Sequence, residues 1–207
     1  MTSINPQPLQ SYFQDKLDRF GLTPRGVDWN SPEAQEIRFA QLARVIQNAD
    51  QGYSLLDYGS GFGALYDFLA RLGPGVRYTG YDFVPDMVRK GDEMHAGIAG
   101  CAFTSDETAL QPVDYAVASG IFNIRLDASD EAWRDYVLGI LTRMDGLAGK
   151  GFSFNMLTSY SDADHMKPHL YYADPCFYFD YCKRHFSKSV AILHDYGLYD
   201  FTILVRK

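Results

Sequence analysis

"LLDYGSGFG", residues 55–63, passes from two leucines into glycine at every second position: Gly59, Gly61 and Gly63. The lead-in, "YSLLDY", reads as a buried strand, and "GALYDFLARLG" behind it reads as a helix closed by Gly73. A strand that runs through glycines into a helix places its turn at the carboxyl edge of a sheet. Ligands of open α/β sheets bind at that edge, near the point where strand order reverses. Glycines there take positive φ and let a ligand reach the main chain without meeting a Cβ. The first helix amides add donors for an anionic group. Asp57 stands just before the glycines, and a carboxylate in that place repels a phosphate.

The alternation continues outward. "VRYTGYDF" (76–83), "GCAFTSD" (100–106), "DYAVASGIFN" (114–123) and "KGFSFNML" (150–157) read as strands. Residues 84–97 and 174–186 read as helices, and "ETALQPV" is too short to be one. Residues 128–148 form the clearest amphipathic helix, with Ala132, Trp133, Tyr136, Val137, Ile140, Leu141, Met144 and Leu147 on one side. Before the first strand, 9–21 reads as a short helix and 30–50 as a longer one. In the longer one Asn30 or Ser31 is the cap, Pro32 and Glu33 fill the first turn, and Ile37, Ala40, Leu42, Ala43, Val45 and Ile46 form the apolar stripe. Strands alternating with helices predict a parallel sheet covered on both faces. The ending, 189–207, has a Tyr196-Gly197 turn between two apolar runs, so its two strands pair antiparallel. A single domain over 1–207 is expected: a helical lid at 1–50, and a core at 51–207 that carries a substrate-side insert at 158–186.

Bulk properties narrow the partners. The 207 residues carry a net charge of −7, a field that repels nucleic acid, and Lys183-Arg184-His185 is the densest basic run. No apolar stretch approaches a membrane span, and "MTSINPQPLQ" lacks a signal-peptide layout. Cys101, Cys176 and Cys182 show no CxxC spacing and read as free thiols. A cytoplasmic protein without a membrane partner is expected.

Asp82 ends the second strand, and a carboxylate there accepts two hydrogen bonds from the vicinal hydroxyls of a ribose. Glycines for close approach and an acid for the sugar make a nucleoside site. A bare G-x-G is weak evidence, since Ala64 also permits the GxGxxA of dinucleotide folds. Two features tip the balance: Asp57 inside the motif, since an acid suits a sulfonium and an α-amino group and disfavours a pyrophosphate, and a short chain that ends in an antiparallel hairpin.

At these residues the chain resembles the class I S-adenosylmethionine-dependent methyltransferases. Asp57-Tyr58-Gly59-Ser60-Gly61-Phe62-Gly63 resembles their first motif, D/E-x-G-x-G-x-G, and Asp82 their ribose-binding acid. "DYAVASGIFN" resembles their fourth motif, and "YDFTILVRK" their final sheet strand. The resemblance covers roughly 34–207. It implies a Rossmann-like three-layer α/β/α sandwich, with a seven-stranded, mostly parallel sheet and a C-terminal antiparallel hairpin. It also implies S-adenosyl-L-methionine as cofactor and S-adenosyl-L-homocysteine as product. The implied cofactor contacts are Asp57, Gly59, Ser60, Gly61, Asp82, Phe83 and Met87, with Asp106 at the adenine and Ser119, Gly120 and Ile121 at the methionine end. "TPRGVDWNS" is similar to a segment of certain small bacterial members, which implies that Trp29 and Arg38 reach over the cofactor, Arg38 toward its carboxylate. The fourth motif is not the (D/N/S)PP(Y/F) of enzymes that methylate DNA bases.

The segment 160–175 leaves the fifth strand at the ligand edge. His165 and His169 are therefore candidate general bases for an alcohol or ammonium acceptor. Asn123, Arg125, Tyr160, Tyr171 and Tyr172 are candidate substrate contacts. Pro168 breaks a helical His165/His169 pair, and no metal is expected. The aromatics of 177–186 are mostly core, with a candidate homodimer contact among them. The expected activity is methyl transfer to an oxygen or nitrogen of a small molecule, a sugar or secondary metabolite. The alternatives are a catalytically silent cofactor-binding module and, behind it, an NAD(P)-dependent reductase.

Overall fold

The computed structural model describes residues 4–29, 31–73 and 75–207. Helices α1 (Gln7–Phe20) and α2 (Pro32–Ala43) precede an alternating run: β1 (Tyr53–Tyr58), α3 (Ala64–Leu72), β2 (Val76–Tyr81), α4 (Pro85–Met94), β3 (Cys101–Thr104), β4 (Val113–Ala118), α5 (Asp130–Leu147) and β5 (Ala148–Leu157). The chain closes with α6 (Pro175–His185), β6 (Ser189–Leu193) and β7 (Asp200–Arg206). The seven strands lie in the order β3-β2-β1-β4-β5-β7-β6. Only the pairs made by β7, with β5 and β6, are antiparallel. Strand order reverses between β1 and β4, so the 55–63 turn opens onto the reversal point, as its reading requires. Between β3 and β4 the chain makes a single helical turn, Glu107–Ala109.

Leu55 and Leu56 show why the strands read as unbroken apolar runs. Successive side chains point to opposite faces. Leu55 packs with Phe39 and Leu42 of α2 and Leu65 and Leu69 of α3. Leu56 belongs to the opposite cluster, which holds Trp133, Val137 and Leu141 of α5 and Tyr178 of α6. Each is at most 1% exposed, and two covered faces make the three layers. Helix α5 buries Trp133, Val137, Ile140, Leu141, Met144 and Leu147, and the Ser129 hydroxyl accepts from the Ala132 amide at its start. No helix among the described residues is long and apolar enough to cross a membrane.

Helix α2 departs from its predicted stripe. Its buried residues are Gln35, Arg38, Phe39 and Leu42, spaced i, i+3, i+4, i+7, while Ile37 and Ala40 are exposed. The face turned inward is the one carrying Arg38, which finds a carboxylate inside. The helix also ends at Ala43, so Val45 is buried from the turn that follows. The Ser31 hydroxyl caps it by accepting from the Ala34 amide at 3.1 Å; Asn30, the other candidate cap, lies outside the described residues.

Gly63 joins the turn to α3 at φ +95°. A Cβ there would come within 2.6 Å of Phe103 and 2.8 Å of the buried His95 ring. Gly63→Ala is expected to lose about 2–4 kcal/mol, because positive φ and overpacking both penalise it. Urea unfolding measures this, and an unchanged midpoint would refute the packing described.

Candidate functional site

The turn after β1 is fixed from β2. The Gly59 and Ser60 amides both donate to the Tyr81 carbonyl, at 2.7 and 2.9 Å. The Gly61 amide donates to Asp82 Oδ2 at 2.8 Å, and the Val84 amide to Asp82 Oδ1 at 2.9 Å. Asp82 therefore ties the turn to the start of α4, and each of its oxygens keeps a second lone pair. Burial pushes its pKa up to about 6, against the two amide bonds that favour its charge. Asp57 is 2% exposed. Its Oδ2 accepts from the Tyr78 hydroxyl at 2.7 Å, and its Oδ1 has no hydrogen-bond partner. Burial pushes Asp57 up to about 7; the Tyr78 bond opposes this and the nearby charge of Asp82 adds to it.

Above this edge lies a cavity of about 1410 Å³. Its floor is the β1 turn with Asp82 and residues 119–121. Leu9, Tyr12, Phe13 and Lys16 of α1, Gln35 and Arg38 of α2, and Tyr136, Ile140 and Arg143 of α5 form the walls. Arg38 is nearly buried. One terminal nitrogen donates to the Ala34 carbonyl at 3.0 Å, and the other forms an ion pair with Asp200. The Trp29 ring stacks on the guanidinium, 4.4 Å from ring centre to Cζ. Arg38 Nε has no partner, and neither has Ser119 Oγ.

The cavity brings together Trp29, Arg38, Asp57, Gly59, Ser60, Gly61, Asp82, Phe83, Met87, Ser119, Gly120, Ile121, Asn123 and His169. The glycines are packed more closely by protein than their reading suggested. A Cβ on Gly59 would fall 2.2 Å from Ile121, and one on Gly120 would fall 2.3 Å from Trp29. Asn123 is partly committed to the fold, since its Oδ1 accepts from the Leu157 amide. The other candidates do not line the cavity. Asp106 is exposed and its carboxylate caps the turn at Thr108. His165 projects from a single turn into solvent beside Tyr199, and Tyr160 is 70% exposed. Arg125 binds the Leu170 and Ala128 carbonyls, Tyr171 is buried against Tyr178, and the Tyr172 hydroxyl accepts from the Lys167 amide.

Three residues at or behind the cavity escaped the sequence reading. Glu107 lines the cavity beside Asp106 and accepts from the Tyr58 hydroxyl at 2.8 Å. Asp200 and Asn155 are fully buried behind Arg38. Their signal was present, as an acid opening an apolar strand and as polar residues alternating in "FSFNML". Among the described residues no group of His, Cys, Asp and Glu is placed to hold a metal ion.

No family model matches the chain. It is 51% identical over 162 residues to a Mycobacterium tuberculosis protein named "Putative methyltransferase Rv1506c", a match that takes in 78% of this chain and 98% of the relative. Its fold is similar to that of magnesium protoporphyrin IX methyltransferase (ChlM) from Synechocystis PCC 6803 with bound SAM, at a TM-score of 0.66 and 15% identity, covering 100% of both chains. It is also similar to mitomycin 7-O-methyltransferase MmcR, at a TM-score of 0.65 and 14% identity, covering 100% of this chain and 61% of the other. With 51% identity to a named methyltransferase, and with a Rossmann-like fold whose β7 is antiparallel, the chain belongs to the methyltransferases of Rossmann-like fold.

Proposed function

We propose that the protein transfers a methyl group from S-adenosylmethionine to an oxygen or nitrogen atom of a small molecule. The observation that carries this reading is three buried polar atoms without partners, all on residues lining one cavity: Arg38 Nε, Asp57 Oδ1 and Ser119 Oγ. A cationic donor, an anionic acceptor and a hydroxyl complement the carboxylate and ammonium of an amino acid. Asp82, fixed by two amides, keeps lone pairs for a pair of sugar hydroxyls. Together these groups fit the methionine end and the ribose of the cofactor.

When bound, S-adenosylmethionine supplies a methyl group on a positively charged sulfur that leaves as a neutral thioether. Two tasks fall to the chain: aligning the acceptor atom and taking its proton. His169 lines the cavity and is the candidate proton acceptor. A cavity of about 1410 Å³ exceeds the roughly 300–1,000 Å³ common for one ligand, and so suits a cofactor and a second small molecule. Residues of α1 and Lys167, His169 and Leu170 line the same cavity, which supports a role for the N-terminal helices and the 158–186 insert in selecting the acceptor.

Three outcomes test this reading. S-adenosylhomocysteine affinity is expected to rise with pH. Its ammonium favours ionised Asp57, so binding below about pH 7 must release a proton, and affinity falls there by up to about tenfold per pH unit. Calorimetry from pH 5.5 to 8.5 measures it, and a flat profile contradicts the role of Asp57. Asp82→Ala should weaken binding by about 1.5–3 kcal/mol, roughly ten- to a hundredfold; unchanged affinity overturns the ribose assignment. With methyl-labelled S-adenosylmethionine and a cell extract, label should enter the protein-free fraction. His169→Gln should slow this by about 10²-fold or more, while His165→Gln leaves it unchanged. Equal rates for the two variants would remove His169 as base.

A further inference from the structure

We propose that Asp200 and Asn155 are positioning residues that aim the Nε–H of Arg38 at a ligand carboxylate. The proposal extends the reading of the site as a methionine pocket and rests on it. Arg38 has five N–H donors in a rigid plane. Asp200 and the Ala34 carbonyl each hold one of its terminal nitrogens, and Trp29 covers one face. The guanidinium is thereby fixed in tilt and rotation, and its Nε edge stays buried and unpartnered on the cavity wall.

Asp200 is itself held. Its Oδ1 accepts from Asn155 Nδ2 at 3.2 Å, and Asn155 Oδ1 accepts from the Gly120 amide at 2.9 Å. Asp200 and Asn155 are both 0% exposed. One unbroken path of hydrogen bonds runs from α2 through the first residue of β7 and through β5 to the loop after β4. That loop carries the unpartnered Ser119 hydroxyl and Ile121. The grip on the carboxylate and the placement of the loop at the methionine end thus share Asn155 as a common support. Anchoring α2 does not explain the arrangement. Phe39 and Leu42 already pack that helix onto the sheet, and an apolar pair of similar volume holds a buried contact as well as an ion pair does. Nor does anchoring explain a donor left without a partner.

The test compares two ligands by calorimetry: S-adenosylhomocysteine, and 5′-methylthioadenosine, which keeps the nucleoside and thioether but lacks the amino acid. Wild type is expected to prefer the first by tenfold or more. Asp200→Asn should cut affinity for S-adenosylhomocysteine at least tenfold and leave that for 5′-methylthioadenosine within twofold. Asn155→Ser, which leaves both charges in place, should show the same selective loss at about threefold or more and serves where Asp200→Asn fails to fold. Arg38→Lys keeps an ion pair for Asp200 and removes the ligand-facing donor, so it should also lose the preference. Equal loss of both ligands, or an unchanged preference in the Asp200 and Asn155 variants, overturns the positioning role while the methyltransferase reading stands. A wild type that binds neither ligand sinks both.

Discussion

Arg38 carries a permanent charge into the interior, and Asp200 meets it there with a fully buried carboxylate. Either charge alone would cost several kcal/mol, so the two fix each other. The consequences spread through the ligand edge. The pair lies on the inward face of α2 with Phe39 and Leu42, the face that puts Gln35 rather than Ile37 against the cavity. It provides the flat cation on which Trp29 lies, and Trp29 in turn covers Gly120. Through Asn155 it reaches the amide of that same glycine. The loop after β4, helix α2, β5 and the antiparallel strand are therefore parts of one polar assembly. A purely apolar contact would hold the layers together, but it would offer no charge to a ligand.

The two acids on the opposite side of the edge follow the complementary logic. Asp57 and Asp82 are buried without a cation, and both are pushed up, to about 7 and about 6. Their ordinary unfolded values lie near 4. What they contribute to stability is therefore fully present below about pH 4 and is lost as pH rises through their folded values. At neutral pH the empty protein holds at least one carboxylate that would be more comfortable in water. On the proposed reading, a ligand bringing an ammonium and two hydroxyls would relieve that penalty and exchange folding stability for affinity.

The fold was largely legible because its signals are local. Glycines at 59, 61 and 63, two-faced strands such as "YSLLDY" and the Tyr196-Gly197 turn report on backbone conformation and burial within a few residues. The acids Asp57 and Asp82 were legible for the same reason, since their places at strand tips follow from the alternation. Helix α2 was misread because an apolar stripe assumes that the inward face is apolar, whereas this face also carries a charge whose carboxylate partner lies 162 positions away in sequence. Asp200 and Asn155 share that difficulty, as their partners come from β5, β7 and a distant loop. The segment 160–175 was expected at the ligand edge, and Lys167, His169 and Leu170 from it line the cavity. Which of its side chains turn in depends on packing: His169 faces the cavity, while His165 and Tyr160 face solvent and Tyr171 enters the core.

A crystal structure of the protein with S-adenosylhomocysteine examines the central claim most directly. The ligand's carboxylate is expected within hydrogen-bond distance of Arg38 Nε, its amino group at Asp57 Oδ1, and both ribose hydroxyls on Asp82. A ligand bound elsewhere, or bound here with Arg38 and Asp57 still unpartnered, contradicts it.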